Sequence, residues 1–154
     1  AGLTERTFFR YFTDKREVLF AGSESLNDAL VGAVDAAAPS LAPIDAMAAA
    51  LDAVGAIFDG RHEFARMRAR IVAEHAELQE RELIKLARLR VALADALRRR
   101  GVPQSTASLI GDMGIAVFHN AFARWVSGDG EQTLGQMMRD SLRELKTVAA
   151  GGSA

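Results

Sequence analysis

Along most of this chain the apolar residues return at the spacing of an α-helix. Leu26, Leu30 and Val34 recur at four-residue steps. Ile44, Met47, Leu51, Val54 and Phe58 form a second stripe, and Leu134, Met138, Leu142 and Leu145 a third. Such a period places one side of each segment against a neighbour. No segment alternates polar and apolar residues as a half-buried strand would. Proline occurs only 3 times, and Ala, Leu and Arg, all good helix formers, dominate. An all-α fold follows.

The punctuation predicts seven helices. A short one covers about residues 4–12, with Thr4 as N-cap and Phe8 and Phe12 stacked at i, i+4. A long one covers about 14–37. Pro39 and Pro43 bracket a loop, and Pro43 suits the first turn of a third helix that ends at Gly60. A fourth spans about 61–75 with Phe64, Met67 and Ile71 facing inward. A fifth spans about 77–100 and ends in three arginines followed by Gly101, cations on the negative end of the dipole and then a glycine stop. A sixth covers about 105–127 and a last one about 131–148. The tail, 151–154, is expected to be frayed.

With 49% hydrophobic and 25% charged residues in 154, the chain can bury a core, and disorder throughout is excluded. It has no cysteine, so no disulfide or zinc–thiolate site can form. No apolar run is long enough to span a bilayer, and no signal peptide pattern opens the chain; a cytoplasmic location is the default. The net charge is −1, so any nucleic-acid footprint must be local. Residues 21–60 carry no Lys or Arg, whereas 61–100 carry eleven. His62, His75 and His119 lack metal-pair spacing, and no phosphate loop or nucleophile elbow is present. The expectation is no enzyme, no cofactor and no metal.

The first twenty residues are the most specific. A glycine at 2 and an apolar residue at 3 precede a short aromatic helix, and Thr13-Asp14-Lys15 then opens the next. This is how the second half of a helix-turn-helix is built. The stretch GLTERTFFRYFTDKREVLF resembles the signature of the TetR/AcrR family of transcriptional regulators, with Gly2, Leu3, Thr4, Thr7, Phe8, Tyr11, Phe12 and Lys15 in register.

The resemblance implies a recognition helix followed by a ligand-binding and dimerisation bundle. Residues 1–20 would be the C-terminal half of a helix-turn-helix and 21–150 the bundle. Two further helices are expected before Gly2, so the chain is expected to be part of a longer protein. Thr4, Thr7, Tyr11 and Lys15 would serve the DNA contact, with Thr7 and Lys15 on phosphates. Glu5, Arg6, Phe9 and Arg10 would point outward together, Glu5, Arg6 and Arg10 approaching base edges in the major groove. Phe9 stands where the family usually has Tyr and suits a thymine methyl or a sugar. The partners implied are a double-stranded DNA operator, a small and mainly apolar effector, and a second copy of the chain.

The later helices fit those expectations. Phe58, Phe64, Met67, Met113, Phe118, His119 and Phe122 are bulky or adaptable groups suited to line an effector pocket. Asp112, His119 and Asn120 read as polar residues embedded in an apolar helix. Ile110, Val117, Ala121 and Trp125 of the sixth helix, with Met138, Leu142 and Leu145 of the seventh, are expected at the dimer interface, and Gly111 and Gly114 would admit another helix closely. The arginines at 66, 68, 70, 81, 88 and 90 read as solvated partners of Glu63, Glu74, Glu77 and Glu82. The expected function is repression released by the effector, with residues 14–37 as the strut between reader and bundle. The alternative is a helical dimerisation or adaptor module that binds no DNA.

Overall fold

The computed structural model describes residues 4–14 and 16–153, apart from the side chains of Phe12 and Thr13. Its elements are α1 (Glu5–Asp14), a 3-10 segment (Arg16–Phe20), α2 (Ser23–Ala36), α3 (Pro43–Ile57), α4 (His62–Ala73), α5 (Ala76–Arg99), α6 (Gln104–Ser127) and α7 (Leu134–Ala149). The described residues contain no strand. The expected all-α fold is what forms.

Local chemistry explains most of the boundaries. Thr4 caps α1, its Oγ1 accepting the Thr7 N–H at 3.2 Å. Pro43 sits in the first turn of α3. α5 ends in Arg98 and Arg99, ahead of Gly101. α7 starts three residues later than the periodicity indicates, because Thr133 and Gln136 form a reciprocal capping box.

The expected helix over 14–37 is broken. In a continuous α-helix the Leu19 carbonyl would accept the Ser23 N–H. Here the Arg68 Nε–H donates to that carbonyl at 2.7 Å. A side chain inserted into the hydrogen-bond ladder interrupts it, so residues 16–20 tighten to a 3-10 turn and α2 begins afresh at Ser23.

The main core joins α2, α3, α5, α6 and α7, with Ala65 of α4 at its margin. α5 lies along α6, α2 along α3 and α5, and α7 along α3 and α6. Two of these crossings need residues without side chains. A Cβ on Gly55 would stand 2.8 Å from the Gly135 Cα, and one on Gly114 would stand 2.8 Å from a Leu93 methyl. Gly111 and Gly114 therefore admit α5 and α3 of the same chain. A smaller cluster of Phe8, Leu19, Ile71, Val72 and Leu78 holds α1 and the 3-10 segment against α4 and the start of α5.

Candidate functional site

A cavity of about 750 Å³ lies between the two clusters. α4 forms one wall through Phe64, Ala65, Arg68, Ala69 and Val72, and α6 faces it with Phe118, His119, Phe122, Ala123 and Val126. Ile57 and Phe58 close one end of the lining, and Val18, Leu19 and Leu26 come from the segment between α1 and the bundle. Gln79, Glu82, Lys85 and Leu86 of α5 complete it. A pocket of this size with mainly apolar walls and a few convergent polar groups is suited to a small organic molecule.

The aromatic wall is a connected array. The Phe58 ring meets Phe122 at 5.6 Å, Phe118 at 6.3 Å and Trp125 at 5.8 Å between centroids. Behind it the His62 Nε2–H donates to the Trp125 carbonyl at 2.8 Å, which ties the start of α4 to the end of α6. His75 similarly donates from Nδ1 to the Ile71 carbonyl.

The polar corner is built by three residues. Arg68, 9% exposed, reaches Glu82 through Nη1 at 2.5 Å and Nη2 at 3.3 Å while its Nε–H holds Leu19. Lys85 contacts the same Glu82 carboxylate one helical turn along α5. Burial pushes the Glu82 carboxyl up, but the hydrogen bond and charge of Arg68, with Lys85, outweigh it and hold the carboxyl below the usual range. Burial, together with repulsion from Arg68, lowers the Lys85 ammonium from its ordinary value, and Glu82 offsets only part of that.

Five expected pocket residues line the cavity: Phe58, Phe64, Phe118, His119 and Phe122. Phe64 is 42% exposed, so it forms part of the cavity rim instead of facing the core. Met67 packs on the small cluster and Met113 on the bundle, away from the cavity. His119 and Asn120 are exposed, with the Asn120 amide turned back to the Ala116 carbonyl, and Asp112 pairs with Arg90 on the surface. None of the three is embedded in the core. Arg68, Glu82 and Lys85 escaped the sequence reading, because nothing distinguishes Arg68 from Arg66 or Arg70 except the carbonyl it reaches.

The recognition segment also differs from expectation. Glu5 pairs with Arg70 instead of facing outward, and the Phe9 ring lies under the same guanidinium at 4.9 Å. Arg6 and Arg10 are exposed, as are Thr4, Thr7 and Tyr11. The Thr4 and Thr7 hydroxyls bond each other at 2.8 Å. Gly2, Leu3 and Lys15 lie outside the described residues.

Six of the expected interface residues, Ile110, Val117, Ala121, Trp125, Met138 and Leu142, are buried within the single chain. They fill the contacts among α3, α5, α6 and α7, so the core accounts for their apolar character. Leu145 is half-buried beside them. The outward face of α6 carries Leu109, which is 67% exposed, with Ala116 and Asn120. The long fifth helix buries Leu89, Leu93 and Leu97 and leaves Leu83, Ile84 and Val91 at the surface. Among the described residues no helix is long and apolar enough to cross a membrane.

The described residues thus form an all-α bundle with a largely apolar cavity beside a short N-terminal helix. Residues 41–150 match the TetR C-terminal family described as the MftR C-terminal domain. No curated protein matches the chain. The chain belongs to the TetR family of transcriptional regulators and carries its C-terminal domain of the MftR type.

Proposed function

We propose that the chain is the effector-sensing and dimerising part of a DNA-binding repressor. Residues 1–20 serve as the second half of its helix-turn-helix and 21–150 as its sensor. A small, mainly apolar effector occupies the cavity and releases the operator. The observation that carries this reading is the position of the cavity. Its lining includes Val18 and Leu19, from the segment that follows the recognition helix, together with Phe118 and Phe122 from the middle of the bundle. A molecule seated there touches both parts and can bind two arrangements of them unequally, as any effector must.

Base reading then rests on Arg6 and Arg10, since Glu5 and Phe9 are engaged by Arg70. Thr4, Thr7, Tyr11 and Lys15 serve the backbone of the duplex. Pairing of two copies uses the exposed face of α6 around Leu109 and the outer side of α7 around Leu145 and Val148, which sets two recognition helices on successive turns of DNA.

The test is binding of the full gene product to the DNA flanking its own gene, by fluorescence anisotropy. Binding should be sequence-specific and weaken steeply with salt. Arg10→Ala should relax discrimination at one base position at a cost of about 1–3 kcal/mol. Uniform, sequence-independent binding would overturn base reading by Arg6 and Arg10, and no binding at any salt concentration would favour the adaptor module.

A further inference from the structure

The polar corner of the cavity holds more positive charge than negative. Arg68 and Lys85 converge on one carboxylate, that of Glu82, and the side chains of all three are largely withdrawn from water. Arg61 adds a further cation to the lining. A buried cation without its own counter-charge is costly, and a guanidinium binds carboxylates in two-pronged fashion. Most of the lining is apolar, and the Phe58, Phe118 and Phe122 rings form part of the same cavity. An occupant that satisfies both halves has an apolar body and one negative end.

The same guanidinium is the group that interrupts the helix before α2. Its Nε–H donates to the Leu19 carbonyl, the group that in an unbroken helix accepts from Ser23. The cavity and the strut therefore compete for one side chain.

We propose that the cavity takes an apolar carboxylic acid, whose carboxylate seats on Arg68 and Lys85, and that seating draws the Arg68 Nε–H away from the Leu19 carbonyl. This rests on the cavity being the effector site. The freed carbonyl accepts the Ser23 N–H, and the 3-10 segment relaxes into α-helix continuous with α2. A 3-10 helix advances about 120° and 2.0 Å per residue, and an α-helix about 100° and 1.5 Å. Over the five residues of Arg16–Phe20 the change amounts to a rotation of roughly 100° and a shortening of about 2.5 Å. α1 turns about the α2 axis, and Phe8 and Leu19 are withdrawn from the small cluster. Displacement of one hydrogen bond is thereby amplified into reorientation of the recognition helix.

The experiment titrates the chain with decanoate and with decanol, two probes sharing one apolar body, at a pH where decanoate is ionised. Fluorescence of Trp125, the single tryptophan, reports occupancy through Phe58 and Phe122. Exchange of the Ser23 amide reports the helix. Decanoate should bind about tenfold more tightly than decanol, and Ser23 should gain protection with decanoate alone. Lys85→Met should weaken decanoate binding far more than decanol binding and so remove most of the preference. Arg68→Lys, which keeps the charge and lacks the Nε–H, should show a protected Ser23 before any acid is added. Equal binding of the two probes would overturn the acid and leave the effector site standing. Binding of neither would overturn the effector site itself. Preferential decanoate binding with Ser23 exchange unchanged would overturn the relay.

Discussion

The bundle and the small cluster beneath α1 are made of the same kinds of side chain, and they hold their parts together in different ways. In the bundle, Leu93, Leu97, Met47 and Met138 are almost wholly enclosed, and contact is direct enough that Gly55 and Gly114 have no room for a methyl group. In the small cluster, among the described side chains, α1 and the 3-10 segment contribute Phe8 and Leu19 to the buried set. Apart from the buried Arg68–Leu19 hydrogen bond, the remainder of the described attachment is polar or aromatic and lies at or near the surface. Arg70 holds Glu5 and Phe9, Arg16 pairs with Glu77, and Arg81 pairs with Glu17 and covers the Phe20 ring at 4.1 Å. Each buried apolar side chain contributes about 1.5–3 kcal/mol, whereas an exposed ion pair contributes about 0–1 kcal/mol. The bundle is thus the part that stays, and the recognition segment is the part that can be let go. The cavity lies at the boundary between them, where the proposed effector would act on the weaker attachment without disturbing the stronger one.

The largest effects should come from breaking the bundle. Leu93→Ala removes an enclosed side chain that fills the Gly114 crossing and should cost about 3–4 kcal/mol. Unfolding should remain a single transition at a lower midpoint in urea, with circular dichroism and Trp125 fluorescence moving together. A separate early transition would mean that the bundle is not one cooperative unit.

Next in size is the charged corner. Glu82→Gln leaves Arg68 and Lys85 without their carboxylate and should cost about 3 kcal/mol, the lower end for a buried pair because Glu82 keeps some solvent contact. The pH dependence follows from the lowered Glu82 carboxyl. A carboxylate lowered by folding contributes stability that is complete above its unfolded value and is lost as acid protonates it. The melting temperature of the parent protein should therefore fall as pH drops below about 4. In Glu82→Gln that decline should be shallower, and an unchanged slope would remove Glu82 from the account.

Leu78→Ala separates the two regions. Leu78 is buried in the small cluster on the first turns of α5. Its truncation should cost about 2–3 kcal/mol where it is felt. Hydrogen exchange should accelerate in α1, the 3-10 segment and the end of α4, and stay at the parent rate in α3, α6 and α7. Acceleration spread evenly over all helices would show that the clusters open together.

Much of this architecture was legible in the sequence. Pro43, Gly101 and the stripes of α3 and α7 bounded their helices, because each signal acts within one or two turns. That Phe58, Phe118, His119 and Phe122 line the cavity agrees with their reading as groups near internal space, because bulky rings on neighbouring helices keep backbones apart. What escaped depends on tertiary position. In α4 the large side chain of Phe64 favoured an inward reading, yet Ala65 and Arg68 are buried there, since the Leu19 carbonyl and Glu82 stand opposite. The break ahead of Ser23 was illegible for the same reason. Trp125, Val117 and Met138 read as surplus apolar surface because a count of apolar residues on α6 does not reveal that α3 crosses it. The capping box of α7 was the exception, a local pattern present in Thr133 and Gln136 and outweighed by the apparent start at Glu131.

The smallest effect is also the one that probes the boundary most directly. Arg70 is about half exposed, pairs with Glu5 and lies over the Phe9 ring, and touches nothing in the bundle core. Arg70→Ala should therefore lower the global midpoint very little. An exposed pair is screened by water and salt, and an exposed cation–π contact contributes about 0.5–1 kcal/mol. Because Phe8 is the one buried residue among the described side chains of α1, that amount is a sizeable fraction of what they supply. Exchange of the α1 amides should rise several-fold while α5 and α6 are unaffected, and 1 M salt should reproduce part of the rise in the parent protein, where the screening length falls to about 3 Å. If α1 exchanged no faster in Arg70→Ala, its attachment would rest on its buried contacts, Phe8 among them, and α1 would be bound to the bundle more firmly than its surface contacts imply.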